Sequence, residues 1–123
     1  MKGMETFGEF INQKRLGLKI SMRDVASALD ISAPFLSDVE KGRRNPFEFE
    51  KLTVLAEILK LSEEEKNKMM ALAGESRNTV APDLPDYIKD KDYVSAALRT
   101  ARDLDASEEE WMKFVEDLKR RKG

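Results

Sequence analysis

The sequence of 123 residues contains no histidine and no cysteine. The first absence excludes a histidine general base, an imidazole metal ligand and a Ser-His-Asp triad. The second excludes disulfides within the chain, thiol nucleophiles and thiolate zinc sites, and it is consistent with a reducing compartment. We therefore expect no enzymatic activity, no cofactor and no bound metal.

Long apolar runs are also absent, because no run approaches the roughly 18 residues that a membrane-spanning helix needs. The N-terminus lacks the basic-then-apolar pattern of a signal peptide. We expect a cytoplasmic, nucleoid-associated protein without a membrane partner.

Aromatic residues make up only 7% of the chain, whereas charged residues make up 37%. Glu, Lys, Leu and Ala dominate, which favours helices.

The charge is unevenly distributed along the chain. The net charge of −2, from 22 basic and 24 acidic residues, does not by itself attract nucleic acid. Residues 14–44, however, contain seven basic and four acidic side chains, a local charge of +3. This segment is the candidate for contact with a polyanion.

Helical periodicity recurs along nearly the whole chain, and no stretch alternates with a period of two. The pattern predicts an all-α protein with a domain of five short helices at 1–74, a linker or extended segment at 75–90 and two further helices at 91–123. The predicted helix starts are Thr6, Ser21, Ser32, Asn45-Pro46, Ser62, Lys91 and Ser107, with capping boxes at Ser21–Asp24, Ser62–Glu65 and Ser107–Glu110. The first helix is expected to end at Arg15, the third at Gly42, the fifth near Gly74 and the sixth at Leu104.

Residues 20–46 carry the functional pattern. Two capped helices are joined by about three residues, with the small Ala26 where the helices cross and apolar anchors at Val25, Leu29, Ile31, Leu36 and Val39. The second helix would present an outer ridge of Ala33, Pro34, Ser37, Asp38 and Lys41. Short side chains let such a helix enter the major groove, and Arg43, Arg44 and Asn45 would then meet phosphates. This pattern indicates a helix-turn-helix.

The spacing of these residues resembles that of the Xre-type regulators, whose DNA-binding domain is similar to that of lambda-type phage repressors. The residues that carry the resemblance run from Ser21, Val25-Ala26, Leu29, Ile31-Ser32 and Phe35-Leu36-Ser37 to Val39-Glu40, Gly42, Arg44 and Pro46. The resemblance covers about residues 5–74. It implies a five-helix bundle that binds operator DNA as a dimer through the helix from Ser32 to Lys41. It also implies an ion pair between Arg15 and Glu40.

Three positions depart from the family pattern. Met22 stands where many members have a glutamine that contacts a phosphate, and Asp30 replaces the turn glycine. Ala33, followed by Pro34, replaces a longer polar residue and offers only apolar contacts, for instance to a thymine methyl group. The predicted DNA-binding residues are Arg23, Ser32, Ala33, Pro34, Ser37, Asp38, Lys41, Arg43, Arg44 and Asn45.

The resemblance does not extend to residues 75–123, which are too few for a self-cleaving peptidase domain. Trp111, Phe114, Val115 and Leu118 form an apolar stripe at helical spacing. This part could pack on the bundle, form a homodimer or bind another protein.

The sequence predicts a transcriptional repressor that binds a pseudo-palindromic site in double-stranded DNA as a dimer. The alternative is an antitoxin-type protein whose C-terminal helices bind a partner while the helix-turn-helix autoregulates its operon.

Overall fold

The computed structural model describes residues 5–123, which form helices joined by turns and contain no strand. This confirms the all-α prediction. The helices are α1 (Phe7–Gly17), α2 (Met22–Ala28), α3 (Ala33–Glu40), α4 (Phe49–Ile58), α5 (Glu63–Arg77), α6 (Pro85–Ile88), α7 (Asp92–Asp103) and α8 (Glu108–Lys122). The one-turn helix α6 is absent from the sequence prediction.

The chain divides into two compact units, Met1–Pro85 and Asp86–Gly123. The helices α1 to α5 lie in the first unit, and α7 and α8 lie in the second. The predicted division at residues 74 and 90 stays a prediction, and its first four residues lie outside the described part of the chain.

The hydrophobic core belongs to the first unit. Its fully buried side chains include Leu36 of α3, Leu52 of α4 and Met69 of α5. The predicted anchors Val25, Leu29, Leu36 and Val39 are buried, as is Ala26, whereas Ile31 packs partly buried against the core. Burial on this scale contributes about 1.5–3 kcal/mol for each large apolar side chain.

Hydroxyl side chains cap five of the helices. Thr6, Ser62 and Ser107 form complete capping boxes with Glu9, Glu65 and Glu110. At Ser21 only half of the predicted box forms, because the hydroxyl accepts a bond from the Asp24 amide but Asp24 does not bond back. The aspartate side chain is one methylene shorter than the glutamate of a complete box.

The predicted start of the fourth helix at Asn45-Pro46 is wrong. The helix begins at Phe49, after an extended Glu48 that provides no side-chain cap. Phe47 is buried between two other aromatic rings, and the Arg77 guanidinium donates to the Pro46 carbonyl at 2.6 Å. These contacts with distant residues hold the segment before Phe49 out of the helix.

The predicted helix end near Gly74 is also wrong. Helix α5 continues to Arg77 and closes on Asn78, which adopts the left-handed conformation at φ 58°. Gly74 instead allows a close approach, since a Cβ there would lie 2.8 Å from the backbone of Val80 and Ala81. The segment after α5 thus packs against this helix within the first unit.

Acid is expected to destabilise the cap of α5. A hydrogen bond from Lys14 and one from the Ser62 amide hold the pKa of Glu65 below its usual 4.5. A lowered pKa contributes stability above pH 4.5, and this contribution disappears as the pH falls through the pKa of the folded state. Glu65→Gln keeps an oxygen for the Ser62 amide, so its melting temperature should change less than that of the wild type between pH 6 and pH 3. Thermal unfolding followed by circular dichroism measures the difference, and parallel curves for the two proteins would contradict the prediction.

Candidate nucleic-acid interface

Helices α2 and α3 are joined by Leu29–Ser32, and hydrogen bonds define the turn. The amide of Asp30 donates to the Ser27 carbonyl at 3.1 Å, and that of Ile31 donates to the Ala26 carbonyl at 2.9 Å. This is the Schellman arrangement, in which the residue after the helix adopts the left-handed conformation. Asp30 does so at φ 59°, which asparagine and aspartate tolerate better than most residues.

The end of α3 repeats the same arrangement with glycine. Gly42 lies at φ 81° and donates to the Val39 carbonyl at 3.1 Å, as the sequence predicts for a helix end. The amide of Arg43 donates to the Asp38 carbonyl at 2.8 Å. These hydrogen bonds therefore fix the backbone after α3, including the backbone position of Arg43.

The predicted DNA-binding residues differ in exposure. Pro34 is exposed on α3, and Lys41 is exposed directly after its last residue. Ser37 and Asp38 are half-buried, and Ala33 packs partly buried against the core. The remaining members of the set are exposed, namely Arg23, Ser32, Arg43, Arg44 and Asn45. The Ser32 hydroxyl already accepts a bond from the Phe35 amide at 3.1 Å, as the cap of α3.

A buried ion pair joins α1 to the end of α3. The Arg15 Nε donates to Glu40 Oε2 at 2.9 Å and its Nη2 donates to Oε1 at 3.1 Å, in a two-point contact. The remaining Nη1 donates to the Ile20 carbonyl at 3.1 Å, and Asn12 donates to Glu40 Oε1 at 2.9 Å. The pair that the resemblance implied is present, and Asn12 and Ile20 are partners that the sequence analysis missed.

Asp38 faces the two arginines that follow α3. Its carboxylate oxygens lie 3.7 Å from Arg43 Nη1 and 3.9 Å from Arg44 Nε. All three side chains are partly exposed, and such pairs contribute at most about 1 kcal/mol. Asp38 therefore lies beside both arginines without fixing either of them.

A row of aromatic rings supports Arg44. Its guanidinium carbon lies 4.5 Å from the ring centre of Phe35, which stacks on Phe47 at 6.3 Å. Phe47 in turn meets Phe7 of α1 edge to face at 6.2 Å. Stacking of this kind restricts the arginine without removing its charge. The sequence analysis missed this row, because only the fold brings the three rings together.

Met22 is the first residue of α2, where many members of the family that this chain resembles have glutamine. It lies half-buried against the core and lines a surface pocket with Glu9, Asn12, Ser37 and Lys41. The side chain supports α3 by apolar packing. It brings no hydrogen-bonding group to the surface.

Gly8 and Lys51 also position the site, and the sequence analysis overlooked both. A Cβ on Gly8 would lie 2.3 Å from the Glu40 carbonyl oxygen, so α1 and the end of α3 touch through their backbones. Lys51 of α4 donates to the Leu29 carbonyl at 2.8 Å and thereby closes the end of α2. The sequence contained one signal for the contact between α1 and α3. Gly8 lies in the first turn of a helix, where no local feature requires a glycine.

Comparison with known proteins gives one match. Residues 11–66 match the family model described as helix-turn-helix, and the segment contains α2, the turn and α3 in full. Searches of curated proteins and of solved structures gave no match to the chain. Within residues 5–123, no helix has both the length and the apolar character needed to cross a membrane.

Proposed function

We propose that the protein represses transcription as a dimer on a pseudo-palindromic operator, through the helix-turn-helix of the Xre-like, lambda-repressor-like type that residues 11–66 match. The observation that carries the proposal is the outer face of α3, which ends at a fixed turn with Arg43 and Arg44 directly behind it. Two such helices about 34 Å apart would read half-sites one helical turn apart. Association with the nucleoid follows from this function.

The residues divide into two roles at the DNA. Ser37 of α3 and Lys41, the residue that caps the end of this helix, lie one turn apart and are proposed to reach base edges in the major groove. Pro34 would contribute an apolar contact to a thymine methyl group. Arg43 and Asn45 would bind phosphates, which fix the register of the helix but carry little sequence information.

Arg44 and Arg23 complete the backbone contacts. The Phe35 ring holds Arg44 beside Arg43, so little side-chain entropy is lost when it binds a phosphate. Arg23 is exposed in the first turn of α2, the helix that crosses the DNA backbone in this motif. These contacts make binding salt-dependent, whereas the α3 contacts make it specific.

Removing the two polar contacts of α3 is expected to abolish selectivity. The operator is first selected from fragments of the source genome, and binding is then measured by fluorescence anisotropy at about 0.15 M salt, a physiological ionic strength. We expect Ser37→Ala/Lys41→Ala to bind the selected duplex roughly 100-fold more weakly and to lose the preference over a scrambled duplex. Helicity should be unchanged, because α3 keeps its buried residues.

The matched control is Ser76→Ala/Lys66→Ala, which makes the same two replacements on α5. This variant should bind the selected duplex as the wild type does. Unchanged affinity in the α3 variant would contradict the role of α3 as the recognition helix. Diffuse wild-type binding that disappears with added salt would contradict sequence-specific regulation.

An antitoxin is the second candidate function, with residues 75–123 holding a partner protein while the helix-turn-helix represses the same operon. It is favoured by the large apolar side chains that α7 and α8 leave exposed. An antitoxin function requires that the chain alone leaves these apolar side chains of α7 and α8 exposed. Sedimentation of the chain without a partner tests this requirement.

A further inference from the structure

The second unit contains no buried side chain. In α7 and α8 no residue is buried, and eight large apolar side chains of this unit are exposed, namely Tyr87, Tyr93, Leu98, Leu104, Trp111, Met112, Phe114 and Leu118. The unit Asp86–Gly123 is shorter than the roughly 40 residues below which a fold usually needs disulfides, metals or oligomerisation. The chain has no cysteine, and residues 5–123 contain no acidic cluster suited to a metal. Association with another chain would cover this surface.

The four residues Trp111, Phe114, Val115 and Leu118 form a stripe along α8, which we call the α8 stripe. Trp111 is 38% exposed and Phe114 52% exposed, and their rings meet edge to face at 6.2 Å. The two rings thus contact each other within the single chain. Ordered aromatic side chains of this kind form the energetic centres of protein interfaces.

The charges of α8 are divided between its two ends. The first turn carries Glu108, Glu109 and Glu110, and the last turn carries Lys119, Arg120, Arg121 and Lys122. Two α8 helices that pair in parallel would bring like charges together at both ends. Two that pair in antiparallel fashion would bring each acidic end against the partner's basic end.

We propose that a second copy of this chain covers the α8 stripe, with the two α8 helices antiparallel. An antiparallel pair centred on the stripe places Trp111 opposite the partner's Leu118 and Phe114 opposite the partner's Val115. The same register places Glu108 opposite the partner's Arg121. The acidic and basic ends of α8 complement those of a second copy in this antiparallel direction.

The net charge of the second unit suits self-association. Residues 86–123 contain nine basic and ten acidic side chains, so two copies repel each other little. This unit as a whole would not attract a strongly charged partner, because its net charge is close to zero.

The inference deepens the proposed function, since it assigns the dimer contact to α8 and leaves α3 free for DNA. Sedimentation of the 123-residue chain without DNA should give a dimer. We expect Trp111→Ala/Phe114→Ala to raise the dimer dissociation constant roughly 100-fold, because both anchors of the stripe are lost. The variant should still fold, since the buried core lies in the first unit. Met112→Ala removes an exposed apolar side chain beside the stripe and should change the constant less than about threefold.

Single cysteines test the direction of the pair, and the cysteine-free chain suits this measurement. A mixture of Glu108→Cys and Arg121→Cys proteins should form a disulfide under mild oxidation. Neither variant should cross-link with itself, because equivalent positions lie about 20 Å apart in the antiparallel pair, beyond the ~7 Å Cα separation that a disulfide spans. Efficient self-cross-linking of Glu108→Cys would overturn the antiparallel arrangement.

The remaining outcomes separate this inference from the proposed function. A wild-type chain that stays monomeric at all concentrations, or a dimer that the double alanine variant leaves intact, overturns the inference even if operator binding is found. A stripe-dependent dimer without operator selectivity supports the inference and contradicts the proposed function.

Discussion

Replacing Arg15 by alanine is expected to lower the free energy of unfolding of the first unit by about 3–5 kcal/mol. Arg15 is 8% exposed and Glu40 is 9% exposed, so little water can replace the lost partner. The variant leaves the Glu40 carboxylate buried with Asn12 as its remaining side-chain donor. A buried carboxylate without its cation is far more costly than the intact pair is favourable.

Urea unfolding followed by circular dichroism measures this effect, with Arg15→Lys and Asn12→Ala as matched controls. Lysine keeps the charge but cannot make the two-point contact, so we expect an intermediate loss. Asn12→Ala removes one hydrogen bond and should cost about 1 kcal/mol. The double variant Arg15→Met/Glu40→Leu should be more stable than Arg15→Ala, because no charge is then left buried. An Arg15→Ala protein within about 0.5 kcal/mol of the wild type would show that Glu40 finds water or another donor.

The Arg15–Glu40 pair is also expected to affect DNA binding, because it positions α3. Glu40 is the last residue of α3, and Arg15 connects it to α1 and to the Ile20 carbonyl just before α2. The network therefore sets the position of α3 relative to the two helices before it. Arg15→Ala should weaken operator binding even at temperatures where the protein is folded, whereas Asn12→Ala should have a smaller effect.

Local signals made the helix-turn-helix predictable from the sequence. Serine caps at Ser21 and Ser32 open its helices, while Asp30 and Gly42 adopt the left-handed conformations that close them. Each of these signals acts within about four residues, so one sequence contains the information. The Arg15–Glu40 pair is not local, and only the resemblance to a family implied it.

The errors arose where distant residues decide the local conformation. The start of α4 depends on Phe47, which packs between Phe7 and Phe35 from other helices. Gly74 looked like a helix end, but this glycine allows the close approach of Val80 and Ala81, and α5 closes at Asn78 instead. In both cases tertiary contacts gave a residue a role that its local pattern did not indicate. The support of Arg44 by Phe35 was missed for the same reason.

Gly8→Ala is the second replacement with a large expected effect. An alanine Cβ at this position would lie 2.3 Å from the Glu40 carbonyl oxygen and 2.7 Å from that of Val39. Both atoms belong to the backbone of α3, so they cannot move aside as a flexible side chain could. Helix α1 must therefore shift away from α3, which we expect to cost about 3 kcal/mol, the upper range for overpacking in a core.

Gly17→Ala at the other end of the same helix is the matched control. A Cβ there has no heavy atom within 4 Å, so alanine should raise the free energy of unfolding by about 0.5–1 kcal/mol through its lower entropy in the unfolded chain. Urea unfolding of the two variants should thus give changes of opposite sign. Equal small changes would mean that α1 adjusts without strain.

Because Gly8 contacts α3 at Val39 and Glu40, the Gly8→Ala variant should also bind the operator more weakly than Gly17→Ala when both are folded. The backbone contact would then be a determinant of how α3 is presented to DNA, alongside the buried ion pair.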